Sequence, residues 1–400
     1  MNIEQRMDAC KRIFGEFGGV NPSIHPSTTF TTLKPETMQK MFNGELEEAG
    51  CYLYGRHFHP NSLQTGMLMA AIENTEIAYP VSSGMAAIST TIRQIFKDGG
   101  HLVSSSEIYG GSYAFFKNIL AKQNIDISFC APNDIDQILE MTNDQTKAIY
   151  LEMHSNPNLK APDLLTLKEC LEEKEHSPKI IIDNTFTPLT YTPKNLGADI
   201  IIHSGTKFLN GMSDFVSGMI CCSHEFLNEL MDLNHGELML SGPALDPISS
   251  WKLYQNLHTL PIRIREHSQR AEELAYSIEG LHKFKIIYPG LSSHPDFESI
   301  NEQFNPTFGY GGILAIDLET QSNAEYFVKE CQSQGLALNA VSLGYYETLM
   351  SISRSSTSSE IDESTMEENQ LSEGLVRISL GYFGDLETQI EKYYNILNKI

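Results

Sequence analysis

The sequence predicts an α/β fold with a mainly parallel central sheet, followed by a smaller C-terminal α+β domain. From about residue 60 to 225, short apolar runs rich in β-branched residues alternate with helical periodicity, which is typical of βαβ units. The 400 residues also exceed what one small core needs. We therefore expect three parts: an extended arm over residues 1–58, an α/β domain over 59–250 and an α+β domain over 251–400.

Composition narrows the classes of function. The 28 basic and 51 acidic residues give a net charge of −23, which disfavours nucleic acid and anionic membranes as partners. No apolar run approaches the about 18 residues of a membrane span, and the first residues lack an apolar signal core. The 7 cysteines form no CxxC pair, so we expect reduced thiols in a cytoplasmic protein.

Within the arm, which we expect to be irregular, one segment has candidate binding residues. Tyr54 and Arg56 are two positions apart, so an extended segment would place both on one side, where they could clamp a phosphate. A surface tyrosine beside a solvated arginine is the alternative. His57 and His59 share a side in the same way, but without a third ligand we expect no metal site.

The next segments predict a helix from Asn61, a strand over Ile77–Val81 and a hydroxyl-rich turn that begins another helix. The backbone amides of Gly84 and Met85 would lie at the N-terminus of that helix, which favours an anion. Plain capping of the helix by Ser82 or Ser83 is an alternative that is compatible with anion binding.

Two further predicted strands end beside candidate cofactor residues. Tyr109 follows the strand at 101–105 and precedes two glycines, so its ring could stack on a planar cofactor or belong to the core. Asn156 follows the strand at 148–152 and could donate a hydrogen bond to a ring oxygen or begin the Asn-Pro turn.

Two isoleucine-rich runs end in the residues that predict the chemistry. One run ends at Asp183, and the other leads through Ser204 and Thr206 to Lys207. Small hydroxyl residues let an anion approach the backbone, and a lysine beside them is typical of a Schiff base with pyridoxal phosphate (PLP). That cofactor needs a carboxylate at its ring nitrogen, a role open to Asp183. Taken singly, the lysine could cap a turn and the aspartate could form an Asx-turn.

The C-terminal third predicts a long helix over Pro247–Ile278 and strands at 312–317 and 375–379. Arg377 interrupts the last strand, and a buried arginine needs an anion, either a substrate carboxylate or an internal acid. Residues 351–369 are rich in serine, threonine and acids, and we interpret them as a mobile loop or lid.

From about Asn21 to Leu386 the chain resembles the Cys/Met-metabolism family of PLP-dependent enzymes, which includes cystathionine γ-lyase, methionine γ-lyase and cystathionine γ-synthase. The motifs that resemble the family's are Tyr54-Gly55-Arg56, Ser83 to Ala87, Glu152 to Pro157, Asp183 to Phe186, His203 to Gly211, Ser342 to Gly344 and Ser372 to Arg377. The resemblance implies a fold-type I, aminotransferase-like architecture with PLP as the cofactor and a small amino acid as the substrate.

The resemblance also implies a role for each candidate residue. Lys207 would carry the cofactor and move protons, and Asp183 would pair with the ring nitrogen. Tyr109 would stack on the ring and act near the leaving group. The other implied contacts are Gly84, Met85, Ser204 and Thr206 with the phosphate, Tyr54 and Arg56 with the phosphate of a neighbouring subunit, and Arg377, Asn156 and Ser342 with the substrate. A shared site of this kind implies a homodimer, typically paired into a homotetramer.

Departures from the family pattern leave more than one substrate compatible with the sequence. Methionine γ-lyases usually have cysteine where this chain has Gly111, whereas cystathionine-specific members usually have glutamate where it has Val341. The first hypothesis is a C–S lyase that acts by α,γ-elimination on a sulfur amino acid. A γ-replacement synthase needs the same residues, and a non-catalytic PLP-binding protein is a third class. A nucleotide-dependent oxidoreductase lacks support, because no GxGxxG follows a predicted strand.

Overall fold

The computed structural model describes residues 1–10, 12–32, 34–42, 52–174, 176–281, 283–356, 363–369 and 371–400. Their α-helices are α1 (Ile3–Ala9), α2 (Pro35–Phe42), α3 (Pro60–Glu73), α4 (Gly84–Ile95), α5 (Gly110–Asn118), α6 (Ile135–Met141), α7 (Leu164–Glu172), α8 (His224–Leu230), α9 (Glu237–Ser241), α10 (Pro247–Glu279), α11 (Phe297–Gln303), α12 (Gln321–Ser333), α13 (Glu363–Glu368) and α14 (Leu386–Leu397). Their strands are β1 (Ile77–Val81), β2 (Gly100–Ser105), β3 (Ile125–Cys130), β4 (Thr146–Glu152), β5 (Lys179–Asp183), β6 (Ile200–Ser204), β7 (Gly218–Cys222), β8 (Lys285–Ile287), β9 (Ile313–Asp317), β10 (Leu338–Asn339), β11 (Leu349–Ile352) and β12 (Leu375–Ser379).

The first sheet has seven strands in the order β1-β7-β6-β5-β4-β2-β3. Strand β7 runs antiparallel to both of its neighbours, and the other pairs are parallel. The middle residues of its central strands are apolar, because parallel sheets are covered on both faces; Ile180, Ile181 and Ile182 of β5 are all buried. The predicted mainly parallel α/β fold is confirmed.

The second sheet has five strands in the order β10-β11-β12-β9-β8, and all its pairs except β10–β11 are antiparallel. Helix α10 begins where Asp246 caps it and runs for 33 residues. Its first half packs into the core of the first sheet through Leu253 and Leu257, and its second half packs into the other core through Leu274 and Ile278. The helix thus links the two sheets, while the boundaries after residues 58 and 250 stay predictions.

Three local expectations were wrong. The arm is not wholly irregular, since it contains α1, which is too short to give a clear periodicity, and α2, whose range overlaps the weak helical signals that the sequence carries over residues 36–49. The segment around Tyr54 and Arg56 is a turn, closed by a hydrogen bond of 3.0 Å from the His57 amide to the Tyr54 carbonyl. Residues 351–369 are not all loop, because Ser351 is paired in β11 and α13 follows; residues 357–362 of that prediction lie outside the described residues.

The described helices and side-chain clusters also bear on membrane insertion and metal binding. Across the described parts of the chain, every helix falls short of the length or apolar character that a bilayer span requires. The same parts contain no group of three or more His, Cys, Asp or Glu side chains that could hold a metal ion.

Candidate active site

A cavity of about 330 Å³ lies where β4, β5 and β6 end. Open α/β sheets bind their ligands at this edge, because loops and helix N-termini converge there. The lining residues are Ser83, Gly84, Met85, Ile88, Tyr109, Glu152, His154, Asn156, Asp183, Thr185, Phe186, Ser204, Thr206, Lys207, Val216, Val341, Leu343 and Arg377. Nine of the twelve residues proposed from the sequence are among them.

Lys207 follows β6, and its Nζ donates a hydrogen bond of 3.0 Å to the Oγ of Ser342. Burial and, to a smaller extent, the nearby Arg377 lower the pKa of Lys207 to about 8. About a tenth of such a lysine is neutral at pH 7, far more than of an ordinary lysine, and the neutral amine is the form that attacks an aldehyde or accepts a proton.

Asp183 ends β5 and is buried beside the cavity. Its Oδ2 accepts a hydrogen bond from the Tyr150 hydroxyl at 3.2 Å, and its Oδ1 accepts one from the Thr185 amide at 3.0 Å. Burial raises the pKa of Asp183, while the hydrogen bonds from Thr185 and the field of His203 lower it. An oriented carboxylate with lone pairs to spare suits a protonated ring nitrogen.

The start of α4 and the turn after β6 form an anion-binding corner. Ser83 caps α4 by accepting the Ala86 amide at 3.0 Å, which leaves the first-turn amides of Gly84 and Met85 beside the cavity. A Cβ on Gly84 would lie 2.9 Å from the Cβ of Ser204, so only glycine permits this approach of helix to strand. The hydroxyls of Ser204 and Thr206 line the same cavity, and the corner therefore fits the phosphate of PLP.

Tyr109 stands at the N-terminus of α5, with its side chain 44% exposed at the cavity. Its amide donates a hydrogen bond of 2.8 Å to the Oε1 of Glu152. The backbone around the tyrosine is thus held by the end of β4, while its ring faces the open side of the cavity and is available to a planar ligand.

Arg377 is buried in β12, and its Nη1 donates a hydrogen bond of 3.2 Å to the Oδ1 of Asn156. Its guanidinium carbon lies 5.7 Å from the centre of the Phe186 ring. Arg377 takes part in none of the ion pairs found among the described residues, although Glu152 is near enough to oppose the lowering of its pKa to about 10 by burial. Of the two partners considered for Arg377, an external carboxylate therefore fits better than an internal ion pair.

Glu152 is a site residue that the sequence reasoning did not single out. It is 6% exposed, lines the cavity, and accepts backbone hydrogen bonds from Tyr109 and Asn156. Burial raises the pKa of Glu152, and the neighbouring Asp183 raises it further. Its position could have indicated its role, because Glu152 ends an apolar strand. In the sheet it is in register with Asp183 on the neighbouring strand.

The structure does not bring Tyr54 and Arg56 to the cavity of their own chain. Tyr54 is 47% exposed, and Arg56 lies 5.7 Å from the centre of its ring while donating to the Met239 carbonyl at 2.6 Å. Their expected place in the site of a neighbouring subunit stays a prediction.

Comparison with known proteins leads to the same family that the sequence motifs indicate. The profile of a family described as "Cys/Met metabolism PLP-dependent enzyme" matches residues 8–392. Methionine gamma-lyase of Arabidopsis thaliana is 42% identical over 388 residues, covering 95% of this chain and 87% of the relative. Cystathionine gamma-lyase of Bacillus subtilis is 32% identical over 351 residues, covering 87% of this chain and 89% of the relative. The crystal structure of cystathionine gamma-lyase from Lactobacillus plantarum, complexed with L-serine, superposes with a TM-score of 0.87 at 26% identity and covers 100% of both chains.

Proposed function

The chain belongs to the family of Cys/Met metabolism PLP-dependent enzymes, and we propose that it is a C–S lyase that cleaves sulfur amino acids by α,γ-elimination. Its cofactor is PLP, and its architecture is that of fold-type I. The observation that carries the proposal is the convergence of Lys207, Asp183 and Arg377 on one cavity. They supply an amine, a carboxylate for the ring nitrogen and a cation for the substrate carboxylate.

The residues of the cavity divide between cofactor and substrate. Asp183 would hold the ring nitrogen of PLP, Tyr109 would cover a face of its ring, and Lys207 would be the point of covalent attachment. The corner formed by Gly84, Met85, Ser204 and Thr206 would hold the phosphate. When bound, PLP supplies an electron sink for the charge left on the substrate Cα after its proton departs.

Substrate orientation falls to Arg377, which takes the α-carboxylate with both arms of its guanidinium. Asn156 holds Nη1 at 3.2 Å, so the guanidinium plane is fixed before the substrate arrives. Ser342 lies at the other end of the guanidinium, since its carbonyl accepts a bond of 3.5 Å from Nη2, while its Oγ accepts one of 3.0 Å from the Nζ of Lys207. This arrangement directs the Cα–H bond of the substrate towards the lysine amine.

Protons are moved by two side chains. Lys207 would remove the proton from Cα and then one from Cβ, and the electron pair left at Cβ forms the Cβ–Cγ double bond as the Cγ–S bond breaks; the lysine later returns protons to the reacting carbons. Tyr109, which lines the cavity, would donate a proton to the departing sulfur. For methionine the balance is one water consumed, with 2-oxobutyrate, ammonia and methanethiol released.

The apolar part of the cavity lining favours methionine over cystathionine as the substrate. Apolar side chains, including Val216, Val341 and Leu343, line the cavity beside the chemical groups. The cations among the described lining residues are Lys207 and Arg377, apart from any charge on His154. Once the cofactor and one carboxylate occupy them, the second amino-acid head group of cystathionine has no cation in the described lining to pair with.

Assembly and location are proposed from the same features. An exposed Tyr54 beside Arg56 is suited to reach the phosphate of a neighbouring subunit, which supports a homodimer with shared sites and, by family resemblance, a homotetramer. A cytoplasmic location agrees with the free cysteines of the described chain and stays a prediction.

The experiment incubates PLP-loaded protein separately with L-methionine, L-cystathionine, L-cysteine and O-acetyl-L-homoserine, with and without sulfide. Release of 2-oxobutyrate from methionine or cystathionine without added thiol supports the γ-lyase. Formation of a thioether or homocysteine only when a nucleophile is present would instead establish a γ-replacement synthase. PLP binding without turnover of any of the four would identify a non-catalytic PLP-binding protein.

A further inference from the structure

Glu73 is a fully buried acid that takes no part in the mechanism above. It is the last residue of α3, and a single oxygen, Oε1, accepts two hydrogen bonds, one from the Nδ2 of Asn184 at 3.0 Å and one from the Nε2 of His203 at 2.8 Å. Neither Glu73 nor its two donors line the cavity. The cluster therefore lies behind the site.

Each donor is the chain neighbour of a residue that lines the cavity. Asn184 follows Asp183, and His203 precedes Ser204. Consecutive side chains of an extended strand point to opposite faces. While Asp183 and Ser204 face the cavity, Asn184 and His203 reach Glu73 behind the sheet.

The two strands are joined by their parallel ladder, whose last pair is Asp183 with Ile202, and two further bonds hold the residues just beyond it. The Asn184 amide donates to the Ile202 carbonyl at 2.9 Å, and the Ser204 amide donates to the Oγ1 of Thr185 at 2.8 Å. The Oδ1 of Asn184 accepts a bond of 2.7 Å from the Thr187 hydroxyl, which fixes the orientation of that side-chain amide and leaves its Nδ2 for Glu73. Glu73 thus adds a side-chain bridge between β5 and β6 at the level of the site.

Burying the carboxyl group of Glu73 at the end of α3 costs free energy. The carboxyl group lies at the C-terminal end of α3, where the helix dipole disfavours negative charge, and its Oε2 has no partner among the described residues. Arg6 offsets part of this cost, since it donates to the carbonyls of Ala71 and Ile72 at the same helix end, at 2.7 and 2.9 Å. An apolar residue would fill the space at lower cost, so packing alone does not account for the acid.

We propose that Glu73 is a positioning residue that sets the spacing between the ends of β5 and β6. That spacing fixes the distance between Asp183, which holds the ring nitrogen of PLP, and the turn of Ser204 and Thr206, which holds its phosphate. The cofactor is rigid, so both contacts form together only if the two strand ends are correctly placed. The inference rests on the proposed function, because it requires PLP in the cavity.

The test measures the dissociation constant and visible spectrum of PLP with purified apo-protein. Glu73→Leu keeps the approximate volume and removes both bonds, and we expect it to weaken PLP binding about 10- to 100-fold and to shift the absorbance maximum of the bound cofactor. Glu73→Gln retains an oxygen at the Oε1 position, so we expect binding within about threefold of the unsubstituted protein.

Met69→Ala is the matched control, because Met69 is also fully buried in α3 and has no bond to either strand end. It should lower the thermal stability of the protein but leave PLP binding within about twofold. Equal binding by Glu73→Leu and the unsubstituted protein, or equal losses in Glu73→Leu and Met69→Ala, would overturn the inference.

A second variant covers the case in which Glu73→Leu does not fold. Asn184→Ala removes one of the two bonds to Glu73, together with the bond from the Thr187 hydroxyl, and we expect it to weaken PLP binding about 3- to 10-fold; unchanged binding would overturn the inference. Failure of the unsubstituted protein to bind PLP would instead contradict the proposed function, so the two failures are distinguishable.

Discussion

The Nζ of Lys207 lies 3.0 Å from the Oγ of Ser342, to which it donates a hydrogen bond. Lys207 follows β6 of the seven-stranded sheet, whereas Ser342 lies between β10 and β11 of the five-stranded sheet. The reactive amine is therefore oriented by a part of the fold that does not carry it. Substitutions near the five-stranded sheet can consequently alter the chemistry of Lys207 at the seven-stranded sheet.

Ser342→Ala removes the acceptor for the Lys207 amine. We expect about a 2- to 10-fold loss of kcat for methionine cleavage, which corresponds to one hydrogen bond, with the fold unchanged. The measurement is steady-state kinetics beside Ser333→Ala, an exposed serine at the end of α12. Equal kinetics of the two variants would show that the contact has no role in turnover.

The pH dependence of cofactor capture tests the environment of Lys207. Because burial and the nearby Arg377 lower its pKa to about 8, about half of its amine is neutral at pH 8 and nearly all of it by about pH 9. The rate of PLP uptake by apo-protein, followed by visible absorbance, should rise most steeply around pH 8 and level off by about pH 9. A rate still rising near pH 10, where an ordinary lysine titrates at about 10.4, would contradict this account.

Arg377→Ala removes the cation proposed for the substrate carboxylate. We expect KM for L-methionine to rise about 100-fold or more, because a charge-assisted pair is lost in a buried place. Bound PLP should remain, since Arg377 is not assigned to the cofactor, and its absorbance is the control. An unchanged KM would exclude Arg377 as the carboxylate site.

Shared sites are tested by combining two defective chains. Arg56→Ala should weaken PLP retention in the neighbouring subunit, and Lys207→Ala should be inactive. In a hybrid dimer one site receives Arg56 from one chain and Lys207 from the other, so co-expression should restore about a quarter of full activity. Activity that stays at the level of the two separate variants, or a PLP-loaded monomer, would refute the shared site.

Much of the fold could be predicted from sequence because its strands are dominated by β-branched residues. The runs ending at Asp183 and leading to Lys207 are β5 and β6, and the parallel register pairs Asp183 with Ile202. Short helices were harder to predict from sequence, since α1 depends on the Asn2 cap and α13 is held by a contact distant in sequence, between Thr365 and Tyr113.

Site residues that follow a strand or begin a helix could be predicted, because strands and helix starts leave a pattern in the sequence. Glu152 was missed because its role depends on two amides, those of Tyr109 and Asn156, that only the folded chain brings to it. Glu73 was missed for the same reason, since its partners are strand ends far away in sequence. Hydrogen bonds between distant segments leave no periodic pattern in a sequence.

The most direct test of the central claim is the 2-oxo acid released from L-methionine by PLP-loaded protein with no thiol added. The account predicts 2-oxobutyrate in equal amount to methanethiol, and none from Lys207→Ala, which should also lose the visible absorbance of the lysine-bound cofactor while keeping its fold. No 2-oxobutyrate from methionine or from cystathionine, or the same yield from Lys207→Ala, would contradict it.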